Sequence, residues 1–398
     1  MKMPRGFMTL TEGSGRAEVR FRKEDFPLKN YTAEHDPMHV RVLILKAEED
    51  FLLLSLEMTS LPSAAIAHYR SMASRLTGID EAHVHISVTH SFSSPHFPAR
   101  ISSPAEEKLN DVLYRRIDEA AELACRQASD LKPCRISYGT AECPVNINRN
   151  VETPEGWWLG RNPEGYSSHT LHVLRFTRED QTDELLSIDL QSSLMNGLPE
   201  AEDRFLLSSD IAGAACSVRE KEIHTAVFLP GAAGDQAPVR AASSLSEAER
   251  YLEEYGRLIS QAAASAFMHE TGTDIHQLHH DIDLPEQIMR YPTKELTPHR
   301  TFDFAFSGGT VTVPVTLIRI GEASLLLTSP ELNSSYGRKI RDLMGTYSMI
   351  GTLCDGACKY LPEQEDYQKI TYTAMNAMLG QGSAEQFYQA VQHITEEL

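Results

Sequence analysis

Residues 40–90, VRVLILKAEEDFLLLSLEMTSLPSAAIAHYRSMASRLTGIDEAHVHISVTH, hold the reading on which the fold turns. Val40 to Lys46 and Phe51 to Glu57 read as strands rich in Val, Ile, Leu and Phe. Ala64 to Leu76 repeats its apolar residues at three- and four-residue spacing, which predicts a helix. Val84 to Thr89 is a further strand, and His90 stands at its end, where a loop begins.

Working outward, strand-like segments recur at Leu171 to Phe176, Leu185 to Leu190, Thr225 to Leu229, Val311 to Ile320 and Ser324 to Thr328. Helical spacing marks Ala105 to Ala128, Ser209 to Glu220, Ser246 to His269, Glu331 to Met344 and Ala384 to Ile394, with Ser246 as a helix start. The alternation predicts an α/β protein with a mixed β-sheet core and helices on both faces. Loops leaving the carboxyl ends of such strands carry chemistry. Three are of interest here: Thr89-His90-Ser91, Gly231 to Asp235, and Thr328 to Glu331.

Across 398 residues, 37 Lys and Arg stand against 56 Asp and Glu, a formal charge of −19. That balance argues against nucleic acid, whose phosphates need a cationic surface, and against an anionic membrane. No apolar run approaches the about 20 residues of a membrane span, and Met1 to Phe7 has no apolar stretch behind it. The expectation is a cytoplasmic protein acting on a small-molecule substrate, with a homo-oligomer left open. The six cysteines are scattered and read as reduced, buried small residues, Cys354 and Cys358 included.

His83, His85, His90 and His96 form the densest cluster of potential chemistry. His83 and His85 share one face of a strand, and a strand-end His90 suits a ligand or base, with a hydrogen-bonded structural histidine as the plainer alternative. His276, His279 and His280 read as a polar strand edge rather than a metal tract. The glycines of Pro230 to Pro238, including Gly234, let a loop aim N–H groups at an anion, although it lacks the Lys-Ser/Thr ending of a phosphate loop.

Taken in order, these segments resemble the N-terminal domain of the neutral/alkaline non-lysosomal ceramidases, a zinc amidase family. Gly13 to Val19 is similar to the family's opening Gly-x-Gly-x-x-Asp strand, and Asp36-Pro37-Met38-His39-Val40-Arg41-Val42-Leu43 to its Asp-Pro-Leu-x-x-Arg-Ala-Leu. Ser55-Leu56-Glu57 resembles Ser-Leu-Asp, and Thr89-His90-Ser91-Phe92-Ser93 resembles Thr-His-Thr-His-Ser. Asn148-Arg149, Val173 to Phe176, Ser208 to Ala215, Gly231 to Pro238, Ser329-Pro330-Glu331 and Gly356 to Pro362 continue the series.

The resemblance implies zinc ligands at His90, Glu331 and Tyr360. The central His of the family is replaced within Ile188 to Leu194, where Ser193 or Ser192 stands, and its second motif His is Phe92. Ala237 holds a loop position that is polar in ceramidases proper. A catalytic Zn²⁺ ordinarily has three protein ligands, so a displaced ligand such as His96 would be needed to complete the site. Three readings stay open. A metal-activated water attacks an amide or ester carbonyl, with Arg149 stabilising the oxyanion; or the fold works without metal, using His90 as acid or base and Arg149 as anion anchor; or it is a non-catalytic binding protein.

Asp235 belongs to the conserved-looking loop of the resemblance, with turn capping as its plainer role; Glu331 could simply favour the first turn of a helix, and Tyr360 could simply pack. Trp157 and Trp158, in a Gly/Pro-rich stretch from Thr153 to Gly165, read as a loop covering a ligand or packing against the body. The expectation is one ceramidase-like α/β domain over residues 1–398, with no C-terminal immunoglobulin-like domain. It would act on a small polar amide or ester, or on an intermediate of a bacterial-type biosynthetic or sugar pathway, rather than on ceramide.

Overall fold

The computed structural model describes residues 10–98, 100–201 and 204–398; the opening Met1 to Phe7 lies outside them. Val42 to Leu45 is apolar at consecutive positions because both faces of its strand are covered. Val40, Val42 and Ile44 point to one core, shared with the helices Ser63–Thr77 and Pro104–Ala128. Leu43 and Leu45 point the other way, into a core shared between sheets.

The strand His39–Lys46 lies in a five-stranded sheet of order Val84–Val88, Asp50–Leu56, His39–Lys46, Thr11–Glu18, Lys132–Pro133. A second five-stranded sheet runs Thr225–Pro230, Thr182–Ile188, Thr170–Thr177, Arg135–Glu142, Phe267–Glu270. A four-stranded sheet runs Ile275–Ile288, Ala305–Ile320, Ala323–Thr328, Ser348–Gly351. Leu53, Phe176, Leu229 and Leu327, drawn from these sheets, meet in the central core. The helices Asp210–Arg219 and Leu245–Ser265 back the second sheet, and Ser334–Met344 and Ser383–Glu397 back the third. The fold is thus mixed α/β, with its strands divided among several sheets and its helices outside them.

Each of the three sheets contains one parallel pair: Asp50–Leu56 with Val84–Val88, Thr182–Ile188 with Thr225–Pro230, and Ala323–Thr328 with Ser348–Gly351. Carboxyl ends of parallel neighbours face the same way, so His90, Gln191, the loop 231–235 and Glu331 all leave strands at such ends.

Three expected elements differ. The helix expected over Ser246 to His269 ends at Ser265, because Phe267–Glu270 pairs as an edge strand with Arg135–Glu142. Its cap is Ser244, whose Oγ accepts from Glu247 N at 3.3 Å. Glu331 is not in a helix: Glu331–Leu332 pairs with Tyr360–Leu361, and the helix begins at Ser334. Thr153 to Gly165 is not a loop but mostly the strand Gly156–Asn162, paired with Asn146–Thr153; the Trp157-Trp158-Leu159 run suits a pleated surface. His276, His279 and His280 lie on Ile275–Ile288, the edge strand of its sheet. All six cysteines are free.

Candidate active site

His90 has φ +57°, a left-handed conformation that side-chain-bearing residues rarely adopt and that tends to mark functional positions. Its Nδ1–H donates to the Thr59 carbonyl at 2.9 Å, which fixes the ring and the tautomer. Nε2 then faces Glu331 Oε2 at 3.3 Å. The strand pairing sets Glu331 opposite Tyr360. Gln191 joins the groups: its Nε2 donates to Glu331 Oε2 at 3.1 Å, and its Oε1 accepts from Arg149 Nη1 at 2.9 Å. Arg149 Nη2 donates to the Gly234 carbonyl at 2.6 Å and to Tyr360 Oη at 3.2 Å. The guanidinium carbon lies 5.6 Å from the ring centres of both Tyr360 and Tyr372.

His90, Arg149, Asp235, Glu331 and Tyr360 are all buried. Burial pulls the His90 pKa down, but the Glu331 carboxylate more than reverses this and the net direction is upward. Burial pushes Glu331 up, and His90 and Arg149 bring it below the ordinary range, so the pair is imidazolium and carboxylate. Burial holds Tyr360 well above the usual phenol range, so it remains neutral. Two atoms of this cluster have no hydrogen-bond partner among the described residues: His90 Nε2, whose contact with Glu331 lies outside hydrogen-bond geometry, and Arg149 Nε. Leaving such groups unpaired costs stability, about 1–3 kcal/mol each or more for charged groups.

The zinc site implied by the resemblance requires a third strong ligand, and the residues present do not supply one. Among the described residues no group of three or more His, Cys, Asp and Glu is placed to hold a metal ion. Gln191 is committed at both ends of its amide, and Arg149 stands in the cluster as a resident cation. His96 is exposed and exchanges no hydrogen bond with His90 or Glu331. Ser193 is half-buried outside the cluster, while Ser192 Oγ accepts from Ala212 N at 2.9 Å. This donor set does not fit a catalytic zinc. Gln191 is the residue that sequence reasoning passed over; the signal for it was its place just beyond the strand Thr182–Ile188.

The loop 231–236 does not aim its N–H groups at a ligand. Gly231 N, Ala232 N, Ala233 N, Gly234 N and Gln236 N donate to Ile188 O, Asp189 Oδ1, Gly231 O, Leu332 O and Ala233 O. Gly234 is needed for close approach instead: a Cβ there would lie 3.0 Å from Leu332 O. Asp235 accepts from Asn148 Nδ2, Gln236 Nε2 and Ser334 N, each at 2.8 Å. Burial nevertheless raises its pKa to about 7.

Asp235 and Asn148 line a cavity of about 420 Å³ with Asn150, Trp157, Asn333 and Asp366. Lys369 Nζ lies 4.3 Å from the Trp157 ring centre. Trp158 meets Tyr372 edge-on at 5.5 Å, on the side of Arg149. Phe92 lies edge-on to His90, 4.4 Å between centres, and lines a separate cavity of about 160 Å³.

No family model matches the chain, and no curated protein matches it. Solved structures do. The neutral ceramidase from Pseudomonas aeruginosa superposes with a TM-score of 0.74 at 16% identity, over 98% of this chain and 75% of that one. A ceramidase described as complexed with C2 gives 0.76 at 14%, over 98% and 76%. The fold is therefore ceramidase-like.

Proposed function

We propose that this chain is a hydrolase that cleaves an amide or ester bond of a small polar molecule without a metal, using His90, Arg149 and Asp235. The observation that carries this reading is a pair of buried nitrogens with no hydrogen-bond partner among the described residues, His90 Nε2 and Arg149 Nε, on two positively charged groups of one cluster. Preorganised cationic N–H donors in a dry site stabilise the oxygen on which charge develops during acyl transfer.

In this scheme water attacks the carbonyl carbon and forms the new C–O bond while Asp235 takes the water's proton. A carboxyl with a pKa of about 7 is matched to base work near neutrality. Arg149 Nε–H and His90 Nε2–H hold the oxyanion. As the C–N or C–O bond breaks, His90 gives its proton to the leaving nitrogen or oxygen, and the two groups then exchange protons with solvent. Glu331 keeps His90 protonated at rest; Gln191 and Tyr360 hold Arg149 in position.

The test is a panel of p-nitrophenyl esters and N-acetyl amides of small polar molecules, turned over by the wild type and by His90→Gln. The expected result is hydrolysis that His90→Gln lowers by about 10²–10⁴-fold. Equal rates in the two proteins would contradict the reading.

A further inference from the structure

The cavity beside Asp235 has a chemistry of its own. Its described lining contains no Leu, Ile, Val, Met or Ala, so nothing in it would hold an acyl chain. It is rich in carboxylates, yet apart from the exposed Glu164 these are already answered. Asp366 accepts from Asn333 Nδ2 at 2.7 Å, Thr371 Oγ1 at 3.0 Å and Glu363 N at 2.9 Å. Glu363 takes Lys339 and Ser335, and Glu365 pairs with Lys369. A cationic ligand would find every counter-charge but the exposed Glu164 occupied.

The groups left over are amides. Asn333 is buried, 5% exposed, and stands at the cap position of the helix Ser334–Met344 without capping it. Its Nδ2 is turned to Asp366, which leaves Oδ1 with no hydrogen-bond partner among the described residues. Asn150 uses its backbone N–H and carbonyl within the hairpin, while its side-chain amide, half-buried in the cavity wall, makes no hydrogen bond among the described residues. A buried acceptor beside a free donor-and-acceptor amide calls for a ligand whose groups both donate and accept, as hydroxyls do. The Trp157 indole in the same wall offers a flat apolar surface for the C–H face of a ring.

We infer that this cavity binds a hydroxyl-rich ring of monosaccharide size, held by Asn333 Oδ1 and the Asn150 amide and seated against Trp157. Its volume of about 420 Å³ suits a small ligand. The inference rests on the proposed hydrolase for its meaning, since the ring would then carry the bond that is cleaved, but binding is measured without turnover.

Both tryptophans of the chain, Trp157 and Trp158, lie on the strand Gly156–Asn162, so intrinsic fluorescence reports on this wall directly. The full chain is titrated with glucose, galactose, mannose and N-acetylglucosamine, and separately with putrescine and octanoate. The expected result is a saturable fluorescence change with at least one sugar. It should be weakened about tenfold by Asn150→Ala and by Asn333→Leu, lost in its Trp157 component in Trp157→Phe, and retained in His90→Gln. Because Asn333→Leu removes a buried partner of Asp366 and can unfold the helix start, Asn150→Ala alone decides if that variant fails to fold. No saturable change with any of the sugars, or saturation by putrescine or octanoate in their place, overturns the inference. Sugar binding without hydrolysis leaves it standing and overturns only the proposed catalysis.

Discussion

The cluster around Arg149 and the cavity around Asn333 are separated by little more than Asp235, yet they handle buried polarity in opposite ways. Around Arg149 the charges are full: an imidazolium, a carboxylate and a guanidinium, joined through Gln191. Around Asn333 the buried carboxylate, Asp366, is capped by an amide and a hydroxyl, and the buried unsatisfied atom, Asn333 Oδ1, is neutral. The first arrangement is suited to stabilising charge that appears during a reaction; the second is suited to recognising a neutral polar molecule. Asp235 takes part in both, through Asn148 on the cavity side and through its backbone carbonyl, which accepts from Arg149 N at 2.8 Å.

The sharpest way to break this contrast is to remove the central cation. Arg149→Met strips the Gln191 Oε1 and Gly234 carbonyl acceptors of a charged donor, and each buried acceptor left unpaired costs about 1–3 kcal/mol; urea unfolding should show a loss of that order. Adding Glu331→Gln should lower stability further, because His90 and Gln191 Nε2 then lose their carboxylate. A cluster of no electrostatic consequence would give the same midpoint in all three proteins.

His90→Gln should act on chemistry rather than stability, with the large rate loss given above and a melting temperature close to that of the wild type. A large melting shift with unchanged turnover would make His90 a structural histidine.

Asp235 supplies the pH dependence. Its carboxyl is neutral below its pKa and becomes the required base as pH rises, so kcat/KM should climb through pH about 7 and level off above it. In Asp235→Asn that rise should vanish along with most of the rate. A profile flat from pH 5 to 9 would assign the base elsewhere.

The smallest expected effect is on the cavity side. Trp157→Ala should weaken ligand binding by about 0.5–1.5 kcal/mol, appearing in KM with kcat nearly unchanged. A loss confined to kcat would place Trp157 with the reacting groups instead of the binding wall.

Much of the scaffold was legible because strands buried on both faces, such as Val40 to Leu45, cannot be confused with amphipathic helices of the Pro104–Ala128 kind. Strand ends pointed to His90, Asp235 and Glu331. What stayed hidden depended on distant partners. Glu331 pairs with Tyr360 across 29 residues and so is a strand, and the edge pairing of Phe267–Glu270 cuts a helix short that periodicity would continue. The glycine loop looked like an anion cradle because nothing local reveals that Leu332 and Asp189 take its N–H groups. Gln191 was passed over because its two partners, Arg149 and Glu331, lie 42 and 140 residues away in sequence.

The want, among the described residues, of a third strong metal ligand beside His90 and Glu331 decides which experiment comes first. Metal content by plasma mass spectrometry is measured on protein purified without a histidine tag, beside the double variant His90→Ala/Glu331→Ala. The expected result is zinc far below one equivalent per chain, the same in both proteins. About one equivalent of zinc in the wild type that disappears in the variant would contradict metal-free chemistry at His90 and Arg149.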